Sequence, residues 1–247
     1  MAKTKKRTPV KKKIKTKKMS NVDIWLEQEN SHIRKALENA SSYFDKNDLL
    51  TVNTLEALYG QESSFGVLKR ERDMDGAAGH FHLQRDTAER YNLIVSKEND
   101  QRFDINYSSI AAARYLDDLD RFFSKETPLT NKITTIGIKN ALERKKFALA
   151  AYNGGEGAIA KAQAFAKEAK KDPTNWNDVQ EFLEQAEARD PDQIRKYVPN
   201  ISKNEIEFAK KSLADKKAKD KKINQSKGRC TKGHWVTIDD RPVFICD

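Results

Sequence analysis

Among the residues whose type and spacing could do chemistry, Glu62 comes first. Leu55, Leu58 and Tyr59 share one face of a helical segment, and Glu62 follows Leu58 by four residues and Tyr59 by three, so its carboxyl continues the apolar stripe. Burial strips hydration from a carboxylate, and a helix C-terminus repels negative charge, so both effects are expected to raise its pKa. A carboxylic acid that keeps its proton near neutral pH can protonate an oxygen leaving group, as cleavage of a glycosidic bond requires. The competing reading is a helix-end glutamate that reaches solvent past Ser63. A hydrolase of either stereochemistry would add a second carboxylate about 5–9.5 Å away; Asp73, Asp75 and Asp86 are the candidates. Near the C-terminus Cys230, His234 and Cys246 are all metal-ligand types, but a closed structural zinc site takes four ligands and no fourth is evident. Neither a metal nor a cofactor is expected.

These groups need a scaffold. From Ser20 to about Ser212 the hydrophobic pattern is helical almost throughout. Ser20 and Asp23 have the spacing of a capping box, and Val22, Leu26, Ile33 and Leu37 suit one amphipathic helix over 21–43. Further helices are predicted at 49–63, 86–91, 104–123, 141–152, 157–170, 177–188 and 191–213. Strand-like alternation is nearly absent in this span, so the core is predicted to be all-α. The last residues differ: 234–238 and 242–246 flank Asp239, Asp240 and Arg241 as a β-hairpin would. Cys230 and Cys246 flank that hairpin and are a candidate disulfide staple, with free thiols the alternative.

The chain has 247 residues, with 47 Lys plus Arg against 37 Asp plus Glu. Its mean hydropathy is −0.85, and no apolar run approaches the roughly 18 residues a bilayer span needs. The formal net charge of +10 points to nucleic acid until the charges are placed. Residues 1–18 hold ten Lys/Arg and no acid, and 210–229 hold nine basic residues against two acids, whereas 19–209 carries a net −6. The expected organisation is a disordered basic tail at 1–18, a helical domain at 19–209, a Lys-rich helix end and linker at 210–229, and the hairpin at 230–247.

Four blocks occur in a characteristic order: residues 55–66 (LEALYGQESSFG), 76–83 (GAAGHFHL) with Thr87 and Ala88, 148–157 (ALAAYNGGEG), and Tyr197-Val198-Pro199. Together, over about 50–200, they resemble the soluble lytic transglycosylase family. The resemblance implies a mainly α, lysozyme-like fold. It also implies cleavage of the MurNAc–GlcNAc β-1,4 bond of peptidoglycan to a 1,6-anhydro-muramoyl end, without consumption of water. By the same resemblance Glu62 is the single catalytic acid/base and Tyr152 the tyrosine that orients it. Ser63, Gly79, Phe81, His82, Asn153 and Tyr197 belong to the substrate-binding surface. The glycines at 154, 155 and 157 suit close backbone approach at a turn. Two departures stand out: the family usually has Gln where this chain has His82, and Glu where it has Gln193. His82 adds a titration between about pH 5 and 8.

Two alternatives follow. One is a hydrolytic, goose-type muramidase with Asp75 as a second carboxylate; the other is an inactive glycan-binding or assembly module. The basic tail at 1–18 suits adhesion to a polyanion, such as a wall polymer, lipid or nucleic acid. No signal peptide is readable, so the chain is expected to reach the wall as part of a phage particle or of a conjugation or secretion machine. The terminal GHWVTIDDRPVFI bears a weak resemblance to hairpins of phage and mobile-element proteins.

Overall fold

A computed structural model describes residues 19–45, 49–69, 75–130, 132–227, 233–238 and 241–246. The basic tail at 1–18, Asp73, and Cys230 with its candidate bond to Cys246 lie outside the described residues. The chain is mainly helical, as predicted: α1 (Asn21–Gln28), α2 (Ser31–Ser41), α3 (Val52–Ser63), α4 (Arg85–Arg90), α5 (Ile105–Ser124), α6 (Ala141–Gly154), α7 (Glu156–Glu168), α8 (Trp176–Val179) and α9 (Pro191–Lys227). Among the described residues there are also two antiparallel strand pairs: β1 (Pro128–Thr130) with β2 (Ile133–Thr134), and β3 (Gly233–Ile238) with β4 (Arg241–Cys246). The second pair runs in register from Gly233↔Cys246 to Ile238↔Arg241.

Where the elements depart from the sequence reading, local chemistry explains it. Ser20 and Asp23 do form a capping box, but the amphipathic stretch 21–43 is two helices. Asn30 interrupts it, its side-chain oxygen accepting from the amides of His32 and Ile33 at 3.0 Å, which makes it the cap of α2. The stretch read as one helix at 177–188 is the single turn α8, a 3-10 turn at Gln180–Phe182, and further turns that end with Glu187 in the left-handed region. At the other extreme α9 continues to Lys227 instead of yielding to a linker, because Lys, Ala and Gln are good helix formers. The β1–β2 pair is too short to leave a period in the sequence.

The site is organised by α3. From Thr54 to Gly60 every residue of this helix is buried, the signature of a helix enclosed by others; α2 and α9 pack against it, and α6 packs against α5, α7 and α9. Stacked rings of Trp25, Phe65 and Phe208 join α1, the end of α3 and α9, with centroids about 6 Å apart. A polar tie sets α9 against α3 and α6: Glu205 accepts from Lys145 at 2.6 and 2.7 Å and from the Thr54 hydroxyl at 2.6 Å. The tie fixes the face that α9 turns toward the end of α3.

Candidate active site

The end of α3 presents Glu62. Ser64, Phe65 and Gly66 have positive φ in succession, so the chain turns sharply as soon as the helix stops. The Ser63 hydroxyl locks the turn, donating to the Tyr59 carbonyl at 3.3 Å and accepting from the Gly66 amide at 3.0 Å. Phe65 then seals it by packing on Tyr59. With the backbone held in this way, the Glu62 carboxyl is left 12% exposed at the edge of a groove.

The opposing wall is the turn 76–84, and a buried ion pair builds it. Arg102 is wholly buried and grips Asp100 through two bonds of 3.0 and 2.8 Å. Its remaining guanidinium nitrogen donates to the carbonyls of Gly76 at 2.6 Å and Leu83 at 3.3 Å, the two ends of the turn. A buried charge is tolerable only when paired and hydrogen-bonded, and here that requirement staples the turn shut. Gly79, at φ +80°, lies so close that an added Cβ would stand 2.0 Å from the Arg102 carbonyl oxygen. His80 bridges the turn to α3. Its Nε2 donates to the Phe103 carbonyl at 3.0 Å and its Nδ1 accepts from the Tyr59 hydroxyl at 2.8 Å. Burial lowers the His80 pKa to about 4, which keeps the ring neutral in this role. Phe81 is fully buried, stacked on Tyr59 at 5.2 Å.

Three residues converge on Glu62. Tyr197, from α9, donates its hydroxyl proton to Oε1. His82 places Nδ1 3.2 Å from Oε2. Tyr152, from α6, lies within electrostatic reach of the carboxyl, but its hydroxyl donates to the Phe81 carbonyl at 3.1 Å. Burial, reinforced by the Glu62 charge, holds both tyrosines well above their ordinary pKa. They are therefore permanent donors.

The groove encloses about 550 Å³, and Glu62, His82, Tyr152 and Asn153 all line it. The structure thus gathers residues from three of the four sequence blocks around one cavity. The remaining block, through Tyr197, bonds Glu62 from behind. The other selected residues have different places. Ser63 is buried and turned to the backbone, and Gly79 is packed on Arg102. Phe81 offers the site only its carbonyl, already bonded to Tyr152. Asp75 is absent from the groove lining, its carboxylate 93% exposed and 3.6 Å from Arg85. Asp86 is exposed on α4. The lining residues not singled out as site residues include Tyr115, Glu156, Arg189 and Asp190. Glu156 accepts from the Tyr115 hydroxyl at 3.1 Å and is 3.4 Å from Arg90. Its position beside the glycines at 154, 155 and 157 was the one available signal.

A family model described as "Transglycosylase SLT domain" matches residues 40–175. Over 130 residues the chain is 32% identical to a "Membrane-bound lytic murein transglycosylase F" from Desulfosudis oleivorans. That match covers 52% of this chain and 24% of the relative, so the chain spans about a quarter of that protein's length.

Proposed function

We infer the reaction from family and geometry together: the chain belongs to the transglycosylase SLT domain family, and we propose that it is a peptidoglycan lytic transglycosylase with Glu62 as its acid/base. The observation that carries this reading is the setting of Glu62. Its carboxyl stands at the groove, held on one oxygen by Tyr197 and faced on the other by His82. In the forward step Glu62 gives its proton to the glycosidic oxygen as the C1–O bond of the muramoyl residue breaks. The substrate's N-acetyl carbonyl supports the cationic centre at C1. Glu62, now a carboxylate stabilised by the Tyr197 hydroxyl, takes the proton of the muramoyl C6 hydroxyl, whose oxygen closes on C1. The product is a 1,6-anhydro ring, the enzyme regains its proton, and no water is consumed. Digesting purified peptidoglycan and weighing the products tests this: anhydro-muramoyl ends support it.

One observation favours a second reading. Glu156 and Asp190 line the same groove, so a hydrolytic muramidase would find its second carboxylate there and not at Asp75. Products heavier by one water would identify it. We also propose that the basic arm at 1–18 adheres to an anionic wall polymer and serves delivery by a wall-crossing particle or machine. Deleting residues 2–18 is expected to weaken wall retention at low salt, and unchanged retention would dispose of the idea.

A further inference from the structure

We propose that the outer face of α9 is a docking surface for an acidic amphipathic helix of a partner protein, received in the furrow between α9 and α8. This goes beyond the cleavage reaction, because among the described residues the furrow shares no lining residue with the groove at Glu62. The inner face of α9 belongs to the core, where Ile194, Tyr197, Ile201 and Phe208 are buried. One such stripe is what a surface helix needs, yet α9 carries a second. Pro199, Lys203, Ile206, Lys210, Leu213 and Lys217 follow one another at steps of four, three, four, three and four residues, and all six are exposed. Ile206 is 55% exposed and Leu213 60%. Single exposed apolar residues need no explanation, but this alternation of apolar and lysine positions is a heptad seam, the pattern by which one helix receives another. From Pro199 to Leu213 the seam extends for about 21 Å, roughly four turns of helix.

The first part of the seam, from Pro199 to Lys210, lines a furrow of about 800 Å³. The furrow is held open by its own bonds. Its far wall is α8, where Trp176 is buried and packs edge-on against Phe147. Arg195, from α9, donates to the Gln180 carbonyl at 3.1 and 3.0 Å. Glu143, from α6, accepts from the Trp176 amide at 2.9 Å and from Lys146 at 2.6 Å. These ties set the spacing of the walls, so a docking helix meets a surface already organised to receive it. Trp176, Val198, Pro199 and Ile206 supply the apolar lining.

Charge decides the occupant. Lys146, Arg195, Lys203 and Lys210 line the furrow against one acid, Glu207. Glu143 pairs with Lys146, Glu184 and Asp192 pair with Arg195, and Lys211 pairs with Glu207. Lys203 and Lys210 have no ion-pair partner among the described residues, so two cations of the seam stand in solvent without a counter-charge. A helix that brings apolar side chains to Ile206 and Leu213 and carboxylates to Lys203 and Lys210 satisfies both parts of the seam. A second copy of the chain would bring the same lysines to the same seam, and like charges oppose that pairing. An anionic bilayer offers a plane where the structure has a furrow, and an anionic polymer leaves the apolar lining uncovered.

The test titrates the full chain, by calorimetry, with a synthetic helical peptide of about three heptads that carries Leu on its seam and Glu beside it. A counterpart with Lys at every Glu position is titrated in parallel. The Glu peptide is expected to bind about tenfold more tightly than the Lys peptide, or better. Ile206→Gln and the double variant Lys203→Gln with Lys210→Gln are each expected to weaken the Glu peptide about tenfold. These side chains are exposed and lie outside the groove of Glu62, so thermal melts and peptidoglycan cleavage are expected to match the wild type. A Glu peptide that binds no better than the Lys peptide overturns the proposal. So does full affinity in both variants, which puts the acidic peptide elsewhere on this basic chain. A concentration-dependent dimer that Ile206→Gln abolishes assigns the face to a second copy, and phosphatidylglycerol vesicles that bind the wild type but neither variant assign it to a membrane; either result overturns the proposal.

Discussion

Replacing Tyr197 with Phe removes one hydroxyl and leaves the ring, so it isolates the donor that holds Glu62. The hydroxyl is buried, Tyr197 being 3% exposed, and it bonds an oxygen of the group proposed to alternate between acid and carboxylate. A hydrogen bond to a charged group contributes about 1.5–3 kcal/mol. Because the carboxylate develops as the proton is given away, most of that should be missing from the transition state, a loss of about ten- to a hundredfold in kcat. KM should move little, since the hydroxyl faces Glu62 and not the cavity. Tyr152→Phe is the matched control. It deletes a hydroxyl bonded to the Phe81 carbonyl at 3.1 Å, so it is expected to cost about 1 kcal/mol of stability and only a small part of the rate. The assay is release of soluble fragments from purified peptidoglycan, with kcat and KM resolved and thermal melts run beside it. If Tyr197→Phe keeps most of its kcat, or if Tyr152→Phe is the more damaged of the two, the assignment of Tyr197 to Glu62 is wrong.

Other expectations follow from buried charge. Glu56 is fully buried, 2.5 Å from Arg34 Nη1 in a geometry too poor for a hydrogen bond, and burial raises its pKa from 4.5 to about 7. The folded state therefore binds this proton more tightly than the unfolded one. Between pH 4.5 and 7, Glu56→Gln should gain about 3 kcal/mol of stability relative to wild type, as read from urea melts across that window. A constant difference would refute it. His80 works in the opposite sense: with its pKa lowered to about 4, stability is lost as pH falls from about 6.5 toward 4. A variant lacking this imidazole should lose that part of the acid slope. Gly79→Ala forces a Cβ against the Arg102 carbonyl at positive φ and should cost about 2–5 kcal/mol in a denaturant melt. Arg102→Met leaves Asp100 buried without its partner and should cost about 3–5 kcal/mol.

The parts of the site that could be read in the sequence are those governed by local pattern. The stripe of Leu55, Leu58 and Tyr59 ends at Glu62, and that places the carboxyl at the mouth of α3 without knowledge of any other element. The Tyr152 block and the turn at 76–83 were recognisable as blocks, and the fold brings them to one groove. Three features were not legible, each for a tertiary reason. The partnership of Tyr197 with Glu62 joins residues 135 apart in sequence, and only the packing of α9 on α3 creates it. Asp100 and Arg102 lie in a polar stretch that has the composition of a surface loop, yet they are buried because the turn at 76–83 needs its carbonyls satisfied. Glu56 has the residue type of an exposed helix position, and the enclosure of α3 on all sides buries it. Asn30 is different: its capping chemistry was present in the sequence but was outweighed by the continuous apolar stripe of 21–43.

The central claim, that Glu62 is the acid and base of a water-free cleavage, is tested most directly by mass spectrometry of purified peptidoglycan digested with wild type and with Glu62→Gln under identical conditions. The wild type should release fragments ending in 1,6-anhydro-muramoyl residues, and the variant, folded to the same degree, should release essentially none. Hydrated ends from the wild type, or undiminished anhydro ends from Glu62→Gln, would contradict it.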